Sequence, residues 1–532
     1  MAGAVVENLS NCKLFGILSF LVAAQILFFL LGGLIAPQPS SAMPFLMTKC
    51  FDPNGGRHDD WFYLRPRSAS GANCVRLDDL EKSGKVYNII DGRNVVFVAQ
   101  MPHIRENVEL EYSPWFQTIL GLLMVESEYT PSHKYSMADD PEIRMEIRLG
   151  YRTNDDSATT WHELSSATVS RKMSCQEPLT KKAGYHYSCE PLNLFELGSS
   201  HYPFYLLNIR IPSCNMSAGR YNCDLGKISD LSVIEIHQNG GFTKIWLSIK
   251  TLLTPFVFLG VLWYWNRIRH LPRKPYLLEK SILTLGATMV FLDFPVEWMT
   301  LWLKLPFMLL FSDIRQGIFY AALFCFWLIF TGEHLMDDSG KNRLGNYWKH
   351  LASVIFGFVC LLVFDMCERG VHLKNPFYSI WSTTVGANLA YGFVILAAIC
   401  AGVYLIFLVY LIMKVITTIK KKRANMLHMQ ENRRLRVEGI IYRFKFLMLV
   451  TMVCAGLTIV GFIMEQVGEG QLRWGDYEES PMLNYTSAFL TGTFGMWNIY
   501  VLLLLAMYAP SHKEYHESQQ GIDSRSKGWL YF

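Results

Sequence analysis

One apolar run near the start of the chain, about two hundred residues of ordinary water-compatible composition, and seven further apolar runs crowded into the second half limit what this sequence can fold into. The first run, Leu14 to Ile35, holds no charged residue and is long enough to cross a hydrocarbon core of roughly 30 Å. Comparable runs recur near 245–265, 281–303, 305–331, 351–367, 386–413, 444–464 and 486–508, and each is read as a membrane span. Charged residues make up only 18% of the 532, too few for an ordinary soluble chain of this length. The formal net charge of +4 gives no reason to expect nucleic-acid binding.

The distribution of basic residues orients the spans. The segment after the fifth bundle span carries Lys420-Lys421-Lys422-Arg423, Arg433, Arg434, Arg436 and Arg443; the loop after the first bundle span carries Arg267, Arg269, Arg273 and Lys274. Loops rich in Lys and Arg stay cytosolic, and alternation puts both of these on one side. Eight spans then place both termini in the cytosol and the intervening domain in the lumen. The same loops could also bind an anionic lipid or a coat protein. The first span exceeds the usual length of a cleavable signal core, so it is read as an uncleaved signal anchor. The expected division is a cytosolic 1–13, an anchor at 14–35, a luminal domain at 36–243, a seven-helix domain at 244–508 and a cytosolic tail at 509–532.

Cys50, Cys74, Cys175, Cys189, Cys214 and Cys223 all fall between the first two spans, and an even number in an oxidising compartment points to disulfides. Six cysteines allow fifteen pairings. Short loop closure favours Cys50 with Cys74, Cys175 with Cys189 and Cys214 with Cys223. No CxxC or nearby His pair supports zinc, and no cofactor is expected. Asn215-Met216-Ser217 is a glycosylation acceptor sequence. Ile143, Met145, Ile147, Leu149 and Tyr151 alternate with polar residues or glycine, the period of a strand with one buried face. Val95–Met101, Phe204–Ile211 and Leu231–His237 are further candidate strands, and together they predict a β-sandwich.

The spans carry ionisable residues: Asp293 and Glu297 in one, Asp313 and Arg315 in the next, Asp365, Glu368 and Arg369 towards the end of the following one. On the topology above they gather in the luminal half, with acids outnumbering the two arginines. Charge at membrane depth is expensive unless paired or hydrated. Such a mouth reads as a structural ion-pair network, with an ion pathway or a ligand-binding mouth as alternatives. Phe319, Phe326 and Phe364 lie on consecutive spans and are candidate walls of an apolar cavity, although bundle core is the commoner role of such aromatics.

No GxSxG elbow, P-loop or HExxH is present, and no enzyme is expected. Seven spans behind a large extracytosolic domain are compatible with a signalling receptor. The third bundle span nevertheless ends in Gly332-Glu333-His334 and not in an Asp-Arg-Tyr triplet. The segments HQNGGFTKIW at 237–246, YLLNIRIP at 205–212, SDIRQGIFYA at 312–321, FDMCERGV at 364–371, NPFYSIW at 375–381, YRFKFLML at 442–449 and YAPSHK at 508–513 closely resemble the Wntless family. The resemblance implies a luminal β-sandwich, a GPCR-like seven-helix domain, and a cargo receptor that carries palmitoleoylated Wnt proteins from endoplasmic reticulum and Golgi to the plasma membrane. It further implies return through endosomes by endocytic adaptors and retromer. Where the family has Tyr-Glu-Gly-Leu, this chain reads Val437-Glu438-Gly439-Ile440 and lacks the tyrosine that an adaptor would hold. Cys214 and Cys223 look like an addition to the family's usual luminal set.

Overall fold

A computed structural model describes residues 11–55, 60–64, 74–78, 92–104, 108–130, 137–214, 221–335, 342–425, 445–458, 460 and 481–510. Asn215, the Val437–Ile440 segment, Arg433, Arg434, Arg436, Arg443 and the tail beyond 510 lie outside the described residues.

Among the described residues, twelve strands form the β domain: β1 Ser40–Leu46, β2 Thr48–Phe51, β3 Val75–Arg76, β4 Val95–Met101, β5 Ile119–Glu128, β6 Glu142–Arg152, β7 His162–Lys172, β8 Cys175–Gln176, β9 Ser188–Cys189, β10 Leu192–Leu197, β11 Phe204–Arg210 and β12 Lys227–Gln238. They make a four-stranded sheet in the order β1-β12-β5-β10, a six-stranded sheet in the order β3-β2-β4-β11-β6-β7, and the small pair β8-β9. All pairings are antiparallel. In β6, Ile143, Met145, Ile147 and Leu149 are buried while Glu142, Arg144 and Glu146 face out, as their alternation requires. They share one core with Phe45, Leu231 and Val233 of the other sheet, which makes the domain a sandwich. The six-stranded sheet is also covered on its outer face, where Val96, Val98, Phe204 and Leu206 pack with Phe62, Tyr63 and Trp161. Disulfides join Cys50 to Cys74, Cys175 to Cys189 and Cys214 to Cys223. Cys175 and Cys189 stand directly opposite each other in the β8-β9 pair.

The helices are α1 Asn11–Leu30, continued by a π-helical turn Leu31–Ile35, then α2 Gly240–Arg269, α3 Leu277–Asp293, α4 Met308–Leu335, α5 Trp348–His372, α6 Thr384–Asn425, α7 Lys445–Thr458 and α8 Pro481–Met507. Seven of these are long and apolar enough to cross a membrane, α3 when taken together with the turn that continues it to Leu301; α7 is shorter, and the rest of the run expected at 444–464 lies outside the described residues.

One expected span differs from the structure. The run at 281–303 is no continuous helix: α3 stops at Asp293 and a 3-10 turn follows at Val296–Leu301. Pro295 is the cause, because it supplies no N–H and forces Phe294 out of the helical region, to ψ 116. Another helix is longer than its apolar run: α6 has 42 residues, roughly 63 Å at 1.5 Å per residue, and carries Lys420 and Lys421 well beyond one bilayer thickness.

Helices α2, α3, α4, α7 and α8 pack around Val257, Tyr264, Met289, Leu323, Leu447 and Leu504. A second cluster joins α4 to α5 and α6 through Leu328, Leu351 and Tyr404. Helix α1 lies against α8, where the buried Gly32 allows close approach: a Cβ there would overlap Thr491 Oγ1 and the Ser487 carbonyl. The Gln25 side chain donates to the Gly492 carbonyl at 2.9 Å, and Ser487 Oγ donates to the Pro37 carbonyl at 2.6 Å.

Candidate functional site

Strand β12 passes into α2 through Asn239, whose side chain caps the helix by accepting from Gly241 N at 2.9 Å. This short connection fixes the N-terminal end of α2 against the β domain. Chain alternation brings the C-terminal ends of α3 and α5 and the starts of α4 and α6 to the same level. The two domains meet there over a broad joint: Trp115 stacks edge-on against Trp298 with centroids 5.7 Å apart, Gln117 donates to Thr300 Oγ1 at 3.3 Å, Glu196 N donates to the Pro376 carbonyl at 2.9 Å, and Arg171 donates to the Phe377 carbonyl at 2.5 Å.

The ionisable residues of the spans separate into two groups at this joint. In the inner group, Lys250 of α2 donates to Glu297 Oε1 at 2.6 Å and Arg315 of α4 reaches the same oxygen at 3.2 Å. Arg315 also donates to the carbonyls of Phe291 at 2.8 Å and Phe294 at 2.6 Å, and to that of Leu292. These carbonyls cluster at the end of α3, where the helix offers those of Phe291 and Leu292 no partner and that of Phe294 also accepts from Val296 N at 2.8 Å, and the guanidinium bonds all three while meeting the negative end of the helix dipole. Asp293 accepts from Asn498 Nδ2 at 3.3 Å, and Thr254 Oγ1 donates to the Asp293 carbonyl at 3.0 Å. Lys250, Asp293, Glu297, Arg315 and Asn498 are all buried. Two carboxylates face two cations, so the surplus of acid read from the sequence does not fall in this group.

The outer group lies nearer the β domain. Arg369 of α5 is ion-paired with Asp313 of α4. Glu368 accepts from Ile380 N at 2.7 Å. His372 lies 3.5 Å from Glu196 of the sandwich and 2.7 Å from the Tyr378 carbonyl. Asp365, half-buried one turn before Arg369, is joined to neither group by a hydrogen bond or ion pair among the described residues.

Among the described residues, three cavities stand out in the joint. One of about 260 Å³ lies between the four-stranded sheet and the end of α5, with Ser40, Leu120, Gln238, Glu368, Arg369 and Tyr378 in its walls. A second, about 100 Å³, is bounded by Gln117, Ser200, Trp246, Glu297, Thr300 and Ser312. A third, about 140 Å³, has Leu164, Tyr202, Pro306, Leu310, Arg369 and Lys374 around it. Phe319, Phe326 and Phe364 line none of these three. Phe319 and Phe326 are enclosed in the bundle core, and half-buried Phe364 faces Trp381 at 6.2 Å between centroids.

Lys250 and Asn498 were absent from the sequence-derived set, although both stand inside apolar runs where a charged or amide side chain is itself a signal. Lys250 is the more telling omission. It bonds Glu297 more closely than Arg315 does.

An antiparallel β-sandwich fused through a polar, cavity-bearing joint to a bundle of apolar helices defines a multi-pass membrane protein with one large domain outside the bilayer. Comparison with known proteins makes the class specific: residues 48–238 match the family description "Wntless, GOLD domain" and residues 239–512 match "Wntless-like, transmembrane domain". The chain is 49% identical to the protein wntless homolog of Caenorhabditis elegans over 98% of its own length and 94% of that protein. It is 43% identical to the homolog of Gallus gallus and 42% identical to that of Homo sapiens, with the same coverage of each chain. The chain belongs to the Wntless family, and its role is Wnt-related.

Proposed function

We propose that this protein is a cargo receptor, without catalytic activity, that binds palmitoleoylated Wnt proteins through its joint and bundle and carries them through the secretory pathway. The observation that carries this reading is the family match running without interruption through both the sandwich and the helical domain. In this reading the β domain is luminal and both termini are cytosolic. The protein cycles between endoplasmic reticulum, Golgi, plasma membrane and endosomes, with retromer and endocytic adaptors on its cytosolic face, and Asn215 carries a glycan.

The physics of the cargo supports a two-part site. Exposing a chain of about 15 methylenes to water costs roughly 12 kcal/mol at about 0.8 kcal/mol each. Transfer of that chain from bilayer to an apolar cavity recovers almost none of it, because both surroundings are hydrocarbon. Selectivity therefore has to come from protein contacts made at the same time, and the joint offers polar groups and cavity space within reach of both domains. We place the acyl chain among α4, α5 and their neighbours, with Phe319, Phe326 and Phe364 as candidate walls. The first two are enclosed in core, so admission of the chain there requires their side chains to move, whereas Phe364 is already half-exposed.

The deciding experiment is co-purification of the full chain with wild-type Wnt and with Wnt whose acylated Ser is replaced. Retention of the first and loss of the second is expected. Equal retention of both would refute recognition of the lipid. Phe364→Trp should weaken retention of acylated Wnt while leaving the sandwich folded; unchanged retention would move the acyl chain to a bilayer-facing groove.

A further inference from the structure

The cavity of about 140 Å³ lies where the turn entering α4, the turn leaving α5 and the 196–205 segment of the β domain meet. Leu164, Leu197, Pro306 and Leu373 give it apolar walls, and Arg369 and Lys374 give it cationic ones. Lys304 stands beside it, with Nζ 3.4 Å from the Tyr202 hydroxyl and 4.6 Å from the ring centroid, and Tyr202 is itself part of the wall. Arg369 already has an acidic neighbour, since it pairs with Asp313, and Glu196, also in the wall, faces His372. Lys304 and Lys374 are in no ion pair among the described residues, and both are exposed. Burial, with the charge of Lys304 adding to it, holds the His201 imidazole below its usual range, so the positive charge on this side rests with the lysines.

The neighbours of these lysines show what medium they meet. Trp302 is 74% exposed, Leu303 49%, Phe307 43% and Leu373 43%. Large apolar side chains left open at the end of a membrane span face bilayer, not water, and lysines among them bring their ammonium groups to the level of the headgroups. The anion common to phospholipids at that depth is phosphate.

We propose that this crevice holds the phosphate headgroup of a membrane phospholipid, with Lys304 and Lys374 as its cationic contacts and the acyl chains lying beside Phe307 and Leu373. Because Tyr202 and Leu164 belong to the sandwich and both lysines to the helical domain, the bound lipid bridges the two domains at their joint. The site lies in the same joint as the proposed cargo contacts but uses neither the inner ion-pair group nor the three phenylalanines.

The test is native mass spectrometry of the full chain in detergent, titrated with phosphatidylglycerol or with diacylglycerol carrying the same acyl chains. A retained phosphatidylglycerol adduct and no retained diacylglycerol is the expected result. The double variant Lys304→Gln, Lys374→Gln should weaken retention by about tenfold or more, from roughly 1 kcal/mol per lysine near a phosphate surface. Lys349→Gln, an exposed lysine at the start of α5, should leave it unchanged. Equal retention of diacylglycerol, or equal retention by the double variant, would overturn the proposal and reduce the lysines to unspecific anchors. Displacement of the adduct by millimolar inorganic phosphate would overturn the lipid as its source.

Discussion

Replacing Arg315 by Leu should disable folding before it touches cargo binding, and the structure gives the size of the effect. Arg315 is fully buried and donates to three main-chain carbonyls, those of Phe291, Leu292 and Phe294, as well as to Glu297. Glu297 keeps its bond to Lys250 when Arg315 is gone, so its carboxylate is not left alone. The carbonyl of Phe294 also accepts from Val296 N at 2.8 Å, but the end of the helix offers those of Phe291 and Leu292 no N–H in exchange. Taking about 1.5 kcal/mol for each lost charge-assisted bond gives about 5 kcal/mol. That is comparable with the entire stability of many domains, about 5–15 kcal/mol. At roughly 2–4 °C per kcal/mol the Tm should fall by about 10–20 °C. Fluorescence-detected size exclusion with a thermal ramp in detergent reads this directly. Arg315→Lys keeps the charge but loses the planar fork that spans several carbonyls, and should fall between Arg315→Leu and wild type. Lys250→Met removes a single bond to an acid that Arg315 still holds, and should cost less than Arg315→Leu. The reasoning fails if Arg315→Leu is monodisperse with a Tm within a few degrees of wild type, or if Lys250→Met is the more damaging change. A well-folded Arg315→Leu protein that loses only cargo would assign the residue to ligand binding.

Two further outcomes are expected. Gly32→Leu should separate α1 from α8, because its Cβ would overlap Thr491 Oγ1 and the main-chain oxygen of Ser487, at a cost of about 1–3 kcal/mol or more; Gly16→Leu, where an added Cβ meets nothing within 4 Å, is the control, and equal thermal shifts for the two would sink the idea. His201 is held below the ordinary histidine value of about 6.5 by burial and by Lys304, so its contribution is fully present above that pH and is lost as pH falls through the folded-state value. Wild-type protein should therefore lose more stability between pH 7 and 5 than His201→Gln, and identical slopes in a pH series of thermal melts would remove His201 from the account.

The parts of the fold that can be read in the sequence are those where burial imposes a single period or a single composition. Strand β6 alternates because one face meets the core and the other does not. Strands β4 and β11 appear as nearly unbroken apolar runs because the six-stranded sheet is covered on both faces. Strand β7 gave no signal: of its eleven residues only Val169 is buried, as its place at the edge of the sheet allows. Pro44 hid β1 for a related reason, since proline is tolerated only where a ladder bond is dispensable, and β1 is also an edge. The break in α3 was legible in Pro295 itself. Average hydropathy over the 281–303 run outweighed it, because a window of apolar residues reports the medium around a segment and not its backbone geometry.

The inner charge group shows what that break accomplishes. In an unbroken helix Asp293 and Glu297 would be four residues apart on one face, two acids stacked as neighbours. The turn at Phe294-Pro295 separates them: Asp293 stays with Asn498, and Glu297 swings to a point between Lys250 and Arg315. Ending α3 early also frees carbonyls, and the same Arg315 that holds Glu297 satisfies them. One proline, two acids and two cations from three helices and a turn therefore work as a single unit. Its members are up to 65 residues apart, from Lys250 to Arg315, so no local pattern could assemble it. What the sequence does carry is each member separately, as a charge or a proline where an apolar span has no use for one. The 3-10 turn that results bears Trp298 and Thr300, the residues that meet Trp115 and Gln117 of the sandwich, so the unit that terminates α3 also sets the height at which the β domain sits on the bundle.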